Sequence, residues 1–390
     1  MNIIFYCQYV WGVGHLMRSL EFARSLAGHD VTLVAGGRPI EVDIPDHVDL
    51  VHLAPLYMDE MFTTLISGDP DRTVAQVQAA RKAMLYELFR KKQADIFVVE
   101  LYPFGRSIFG FELEPLLADI RAGKFGNVMV VCSLRDILVE KKDTQAYEAR
   151  VIEKLNRYFD ALLIHSDARV LRLDETFSRT IDIRIPVAYT GFIAQQSDPA
   201  AGVKLRRELG LSAEQKLVVA SAGGGRSGYK ILASVLDAVK LLGGGRMQIR
   251  LELFAGPFME NEEFEKLAGR AGADVRIRRY TRRFLDYLHA ADLSLSLAGY
   301  NTCMNLLVAQ LPALVYPYAR QREQPLRVDR IKDFLPLKIL TDADLLPETL
   351  SSHIYAMLQN QKVSKILPID LNGSAHAAEF LSRLAGKSTN

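Results

Sequence analysis

Short runs of β-favouring apolar residues alternate with longer amphipathic stretches from one end of the chain to the other, which leaves few folds open. In the first half the runs are Ile3–Cys7, Val31–Ala35, Val48–Leu53, Ile96–Glu100, Val128–Ser133, Ala161–His165 and Ile185–Tyr189. In the second they are Leu217–Ser221, Ile249–Phe254, Val275–Arg278, Leu293–Leu297 and Ala313–Tyr316. Runs this apolar suit strands covered on both faces, and the spacers between them are long enough for helical crossovers. The expected fold class is therefore α/β, built from Rossmann-like, doubly wound parallel sheets. A chain of 390 residues exceeds what a single core usually organises, so two domains are expected. The small, polar, proline-containing stretch GFIAQQSDPAA marks the joint. The expected division is a first domain over 1–192, a linker over 193–201 and a second domain over 202–365. A helical tail over 366–390 would pack back on the first domain. In such sheets a ligand sits at the carboxyl ends of the strands.

Composition removes several classes of function. A formal net charge of +2 gives no global field for nucleic acid. Cys7, Cys132 and Cys303 lack paired spacing, so neither a disulfide framework nor a zinc site is expected. The start MNIIFYCQYVWGVGHL has no basic leader and reads as a first strand. No apolar run is long enough to span a bilayer, and the cytoplasm is the default compartment.

The chemistry-bearing motifs follow strand ends. Gly12-Val13-Gly14-His15 succeeds the first strand and opens the amphipathic helix LMRSLEFARSL. The glycines permit a sharp turn, and a neutral imidazole at that mouth can take a proton from a hydroxyl. A third glycine is missing, so a dinucleotide fingerprint is unsupported. Ala222-Gly223-Gly224-Gly225-Arg226 follows the first strand of the second half, with a helix predicted over Ile231–Leu242. Its glycines let backbone wrap an anion, and Arg226 can neutralise charge there. After Leu297, Gly299 and Tyr300 lead to Asn301, Thr302 and Asn305 at the start of a short helix. Phosphate binding and plain N-capping use the same geometry, and both readings stand at this point. Glu323-Gln324 is expected in a loop after the next strand, an acidic/amide pair suited to sugar hydroxyls. The arginines at 276, 278, 279, 282 and 283 read as a mostly solvated face. Met58, Met61, Phe62, Leu65 and Ile66 read as core, with an acceptor pocket or a membrane surface as the alternatives.

Taken in order, GVGHLMRSLEFARSL, VELYPFGR with ELEPLL, VCSLRDIL, HSDARVLRLDETF, SAGGGRSG, LFAGPFM, LSLAGYNT and REQ carry a family resemblance. The chain resembles GT-B glycosyltransferases of the family 28-like group, which contains the bacterial peptidoglycan N-acetylglucosaminyltransferase. It is similar in particular to the predicted-glycosyltransferase branch. The resemblance implies two Rossmann-like domains facing across a cleft, the first binding acceptor and the second a nucleotide-sugar. It implies His15 as the catalytic base, with Gly12, Gly14, Arg18, Tyr102 and Arg106 on the acceptor side. For the donor it implies Gly223, Gly224, Gly225, Arg226, Gly256, Tyr280, Thr281, Gly299, Tyr300, Asn301, Thr302, Asn305, Glu323 and Gln324. The implied reaction is an inverting, metal-independent transfer of a hexosyl group to a hydroxyl, with no cofactor. The donor is a UDP-sugar first and a dTDP-sugar second. The acceptor is a small molecule, a glycan or a lipid-linked group, and peripheral contact with the inner membrane face fits the last.

Two departures from that pattern stand out. Asn305 occupies the place of a glutamate that accepts bonds from both ribose hydroxyls, and an amide loses the charge-assisted bidentate contact. Ala298 stands where a glycine is usual before Gly299, tolerable if its φ is negative. Two rival functions remain. Gly-x-Gly-His-Leu-Met-Arg also resembles the nucleotide-sugar hydrolase of pseudaminic acid synthesis, and a nucleotide-sugar-binding protein without turnover would not need His15.

Overall fold

The computed structural model describes residues 1–9, 13–37, 39–58, 64–139, 141–225, 227–243, 247–318, 322–359 and 368–388. The chain divides into two compact units, Met1–Ile193 with Asp370–Asn390, and Ala194–Ile369.

The first unit runs β1 (Asn2–Gln8), α1 (Gly14–Arg24), β2 (Asp30–Gly36), β3 (Val48–His52), β4 (Leu56–Met58), β5 (Leu65–Ser67), α2 (Val74–Lys92), β6 (Ile96–Glu100), α3 (Gly110–Arg121), β7 (Met129–Arg135), α4 (Thr144–Tyr158), β8 (Ala161–His165) and β9 (Val187–Tyr189). Its main sheet has the order β3-β2-β1-β6-β7-β8-β9, parallel throughout. β6 and β8 are buried along their whole length, because helices cover both faces of the sheet. A capping box between Thr73 and Gln76 starts α2, and Asp143 caps α4 through the Ala146 N–H at 3.1 Å.

The second unit runs α5 (Ala200–Glu208), β10 (Lys216–Ser221), α6 (Tyr229–Leu242), β11 (Ile249–Phe254), α7 (Asn261–Ala268), β12 (Val275–Arg278), α8 (Phe284–Ala290), β13 (Leu293–Leu297), α9 (Tyr300–Ala309), β14 (Ala313–Tyr316), α10 (Glu323–Ile331), β15 (Leu337–Ile339) and α11 (Pro347–Gln359). Its sheet is β12-β11-β10-β13-β14-β15, again parallel. The chain then returns to the first unit as α12 (Gly373–Ser388). There Ala377 and Leu381 join Ile3, Leu16, Leu20 and Val31 in one core. Among the described residues no helix is long and apolar enough to cross a membrane.

Several local expectations need correction. α5 opens at Ala200 with its N–H on the Asp198 carboxylate at 2.8 Å, so the expected linker ends two residues early. Leu56–Met58 and Leu65–Ser67 pair as an antiparallel hairpin, with Leu56 and Leu65 in a small core beside Val77 and Phe109. Met61 and Phe62 lie outside the described residues. Glu323 and Gln324 begin a helix instead of lying in a loop. Pro325 is tolerated there because a first-turn N–H needs no partner within the helix. The arginine cluster does lie largely at the surface, with Arg276, Arg282 and Arg283 exposed, and side-chain partners hold Arg278 to Glu252 at 3.2 Å, Arg279 to Asn261 at 2.7 Å and Arg283 to Glu208 at 2.7 Å. Gly243 caps α6, while Gly244 and Gly245 lie outside the described residues.

Candidate active site

In the first unit the strand order reverses between β1 and β6, and a doubly wound sheet takes its ligand at the carboxyl ends of such a pair. β1 ends at Gln8 and β6 at Glu100. Gly14 opens α1 and places His15 in its first turn, while Gly12 lies outside the described residues. The His15 Nδ1 sits 2.6 Å from Glu100 Oε1. An ionised carboxylate only accepts, so Nδ1 carries the proton and Nε2 keeps a lone pair. The imidazole retains 18% of its side-chain surface, whereas Glu100 is buried at 1%. Reach and orientation are therefore combined in one side chain.

Arg18, one turn further along α1 and 4% exposed, donates to the same Glu100 oxygen. Its guanidinium, expected on the acceptor side, is buried and paired with this carboxylate. Burial pushes the Glu100 carboxyl up, but His15, Arg18 and Arg106 outweigh it and hold it well below the usual range. Burial lowers the His15 imidazole to about 4, with Glu100 opposing and Arg106 and Arg18 assisting. Burial keeps the ring neutral at physiological pH, while the carboxylate orients it and the two arginines offset the carboxylate's charge. Because burial sets the folded value below the unfolded one, the neutral buried ring contributes stability fully above about pH 6.5, and that contribution is lost as pH falls towards 4. Replacing Arg18 with methionine should therefore move the acid limb of kcat/KM upward from near 4, while burial keeps it below the ordinary imidazole value. A pH–rate profile with an unmoved limb would remove Arg18 from that role.

The loop after β6 supplies the rest of this mouth. Leu101 and Arg106 both lie in the left-handed region, at φ 67° and 60°. Arg106 Nε donates to the Gln8 carbonyl at 2.7 Å, joining the ends of β1 and β6. Gln8 is held in turn from behind, where Arg81 reaches its Oε1 at 2.7 Å and Glu112 at 2.6 Å. Tyr102 is fully buried and gives its hydroxyl to Glu114 at 3.0 Å, so it belongs to the packing of the loop and presents no surface to a ligand.

In the second unit the reversal lies between β10 and β13. Beyond β10, Gly223 and Gly225 take φ of 59° and 99°, and Gly256 beyond β11 takes 91°. A Cβ on Gly256 would lie 2.5 Å from the Gly225 nitrogen and 2.6 Å from the Gly223 carbonyl oxygen. The glycine loop thus rests directly on backbone, and the Phe258 N–H donates to the Gly224 carbonyl at 3.0 Å. The N-cap of α9 is Gly299, with no side-chain cap, so Asn301 and Thr302 lie inside the first turn and are not caps. Cβ positions built on Gly223 and on Gly299 each lie 3.9 Å from Thr302 Oγ1, so loop and helix start converge on that hydroxyl. Ala298 is buried and absent from the left-handed region, so its methyl is accommodated.

Gln324 Oε1 accepts from the Tyr318 N–H at 2.9 Å, and Glu323 Oε1 from Arg327 at 2.8 Å. Asn305 stands one turn beyond Asn301 on α9 and is half-buried. Tyr280 is exposed beyond β12, the edge strand, with Thr281 next to it. Arg226 lies outside the described residues. Glu100 and Arg327 escaped the sequence reading. For Glu100 a signal existed, a lone carboxylate closing the apolar run IFVVE.

Comparison with known proteins bears on the fold and on the second unit's sequence. Residues 219–378 match the glycosyltransferase family 28 C-terminal domain. The chain is 30% identical over 159 residues to UDP-N-acetylglucosamine--N-acetylmuramyl-(pentapeptide) pyrophosphoryl-undecaprenol N-acetylglucosamine transferase of Desulforamulus reducens. That match spans 38% of this chain and 42% of the relative, less than half of either. Among solved structures, the calicheamicin glycosyltransferase superposes with a TM-score of 0.62 at 14% identity over 100% of both chains. MurG of Acinetobacter baumannii gives 0.56 at 13% identity, over 98% of this chain and 100% of that one. The chain thus has the GT-B fold of these glycosyltransferases, and from β10 onward it is similar in sequence to the C-terminal domain of glycosyltransferase family 28.

Proposed function

We propose that the protein is an inverting, metal-independent glycosyltransferase that moves a hexosyl group from a nucleoside diphosphate to a hydroxyl. The observation that carries this reading is the neutral His15 imidazole, oriented through Nδ1 by Glu100 at 2.6 Å. Nε2 takes the acceptor's proton while the acceptor oxygen bonds to the anomeric carbon. The bond from that carbon to the diphosphate oxygen breaks on the opposite face, and the nucleoside diphosphate departs. The imidazolium so formed is paired at once with the Glu100 carboxylate. In the second unit the glycine loop and the N-terminus of α9 receive the charge that develops on the diphosphate. Glu323 and Gln324 hold the sugar hydroxyls, and the segment at Tyr280-Thr281 reads the base. UDP is the first donor to test, as in the name of the Desulforamulus reducens relative. Asn305 makes dTDP the second, since a deoxyribose misses the absent carboxylate least. The acceptor is a small molecule, a glycan or a lipid-linked hydroxyl, and the lipid-linked case would place the protein on a membrane face.

The test is incubation of purified protein with nucleotide-sugars, with and without acceptor alcohols, followed by separation of products. Formation of a glycoside with inverted anomeric configuration supports the reading. Rapid stoichiometric release of free sugar without acceptor would favour the hydrolase instead. Turnover should persist unchanged after exhaustive chelation with EDTA, and a loss restored by added magnesium would overturn metal independence.

A further inference from the structure

Arg327 is fully buried, yet nothing in the reading above uses it. A buried guanidinium is tolerated only when its donors are satisfied. Here one donor reaches Glu323 Oε1 at 2.8 Å, from one turn behind on α10. Another reaches the carbonyl of Ala298 at 3.2 Å, at the carboxyl end of β13. The Arg327 Cζ also stands 5.5 Å from the ring centroid of Tyr300, in the first turn of α9. One side chain therefore ties the start of α10 to the junction from which α9 departs. Glu323 keeps only 10% of its side-chain surface, so removing Arg327 takes a charged donor away from a nearly buried carboxylate and frees it to reorient.

We infer that Arg327 is a positioning residue for the donor's sugar: it fixes the Glu323 carboxylate relative to the α9 start, so that the sugar-binding oxygen and the phosphate cradle keep one spacing. This rests on the reading of the second unit as the nucleotide-sugar site. A guanidinium fork suits the task because it offers several donors in a fixed plane, which a lysine ammonium does not. Arg327 touches no ligand itself. Its effect passes through Glu323 and is confined to the sugar.

The experiment is calorimetric titration of wild type, Arg327→Gln, Arg327→Lys, Glu323→Gln and the double variant Arg327→Gln/Glu323→Gln. The probes are UDP, dTDP and GDP alone and as UDP-N-acetylglucosamine, dTDP-glucose and GDP-mannose. The quantity read is the affinity ratio of conjugate to bare diphosphate, which a general loss of stability leaves unmoved. That ratio should fall about tenfold in Arg327→Gln and in Glu323→Gln, and no further in the double variant. Arg327→Lys should recover part of it. Equal loss for conjugate and bare diphosphate, or additive effects in the double variant, would overturn the assignment while sparing the function proposed above. A wild type that binds none of the six probes would overturn that function, and this assignment with it.

Discussion

Replacing His15 with alanine should lower kcat by about 10²–10⁴-fold while nucleotide affinity stays nearly intact. The asymmetry follows from placement. His15 belongs to the first unit, and the glycine loop with the α9 start belongs to the second. Loss of the ring removes the proton acceptor but leaves the diphosphate cradle untouched. Glu100→Gln should fall into the same class, because an amide can accept from Nδ1 but cannot stabilise the imidazolium. The check is product formation with the best donor and acceptor pair, alongside calorimetry with the nucleoside diphosphate. Turnover within a few-fold of wild type in His15→Ala would take the base role away from this residue.

The second large effect is expected at Gly256, which carries no chemistry of its own. An alanine there must adopt φ near 91° and put its Cβ within 2.6 Å of three backbone atoms of the glycine loop. Backbone cannot swing aside as a long side chain can. The loop must lift, and Gly223 moves away from Thr302 as it does. Strain at such a φ costs on the order of 1–3 kcal/mol, and the steric conflict adds to it. Gly256→Ala should therefore abolish measurable nucleotide binding and lower Tm by several degrees. Gly386→Ala is the control, since nothing lies within 4 Å of its Cβ position and alanine favours a helix. If Gly256→Ala bound nucleotide like wild type, the glycine loop would not be the diphosphate cradle.

Most of the architecture is legible in the sequence. Strands such as Ile96–Glu100 are buried on both faces, so their apolar runs need no alternation to be seen. The very short β15 has no such run, and the hairpin strands Leu56–Met58 and Leu65–Ser67 merge in the sequence into one apolar stretch. At the site, glycines and the histidine announced themselves because tight turns restrict residue type. Glu100 did not, because its partner lies 85 residues away and only the β1–β6 pairing brings them together. Arg81 and Arg327 were hidden for the same reason: charged letters on a helix read as a solvated face, and the carboxylates that bury them are revealed only by packing. Glu323 and Gln324 read as loop residues because they are polar and follow a strand, yet they open a helix whose first turn accommodates Pro325.

The return of α12 to the first unit has a consequence for biosynthesis. Ala377 and Leu381 complete a core begun by Ile3 and Leu16, yet they are translated after the whole of Ala194–Ile369. On the ribosome the later half can close before the earlier one, whose leading helix waits with its apolar side unsheltered. A chain released short of residue 373 would carry a finished nucleotide-type lobe joined to an unsealed partner, a natural target for chaperones and proteases.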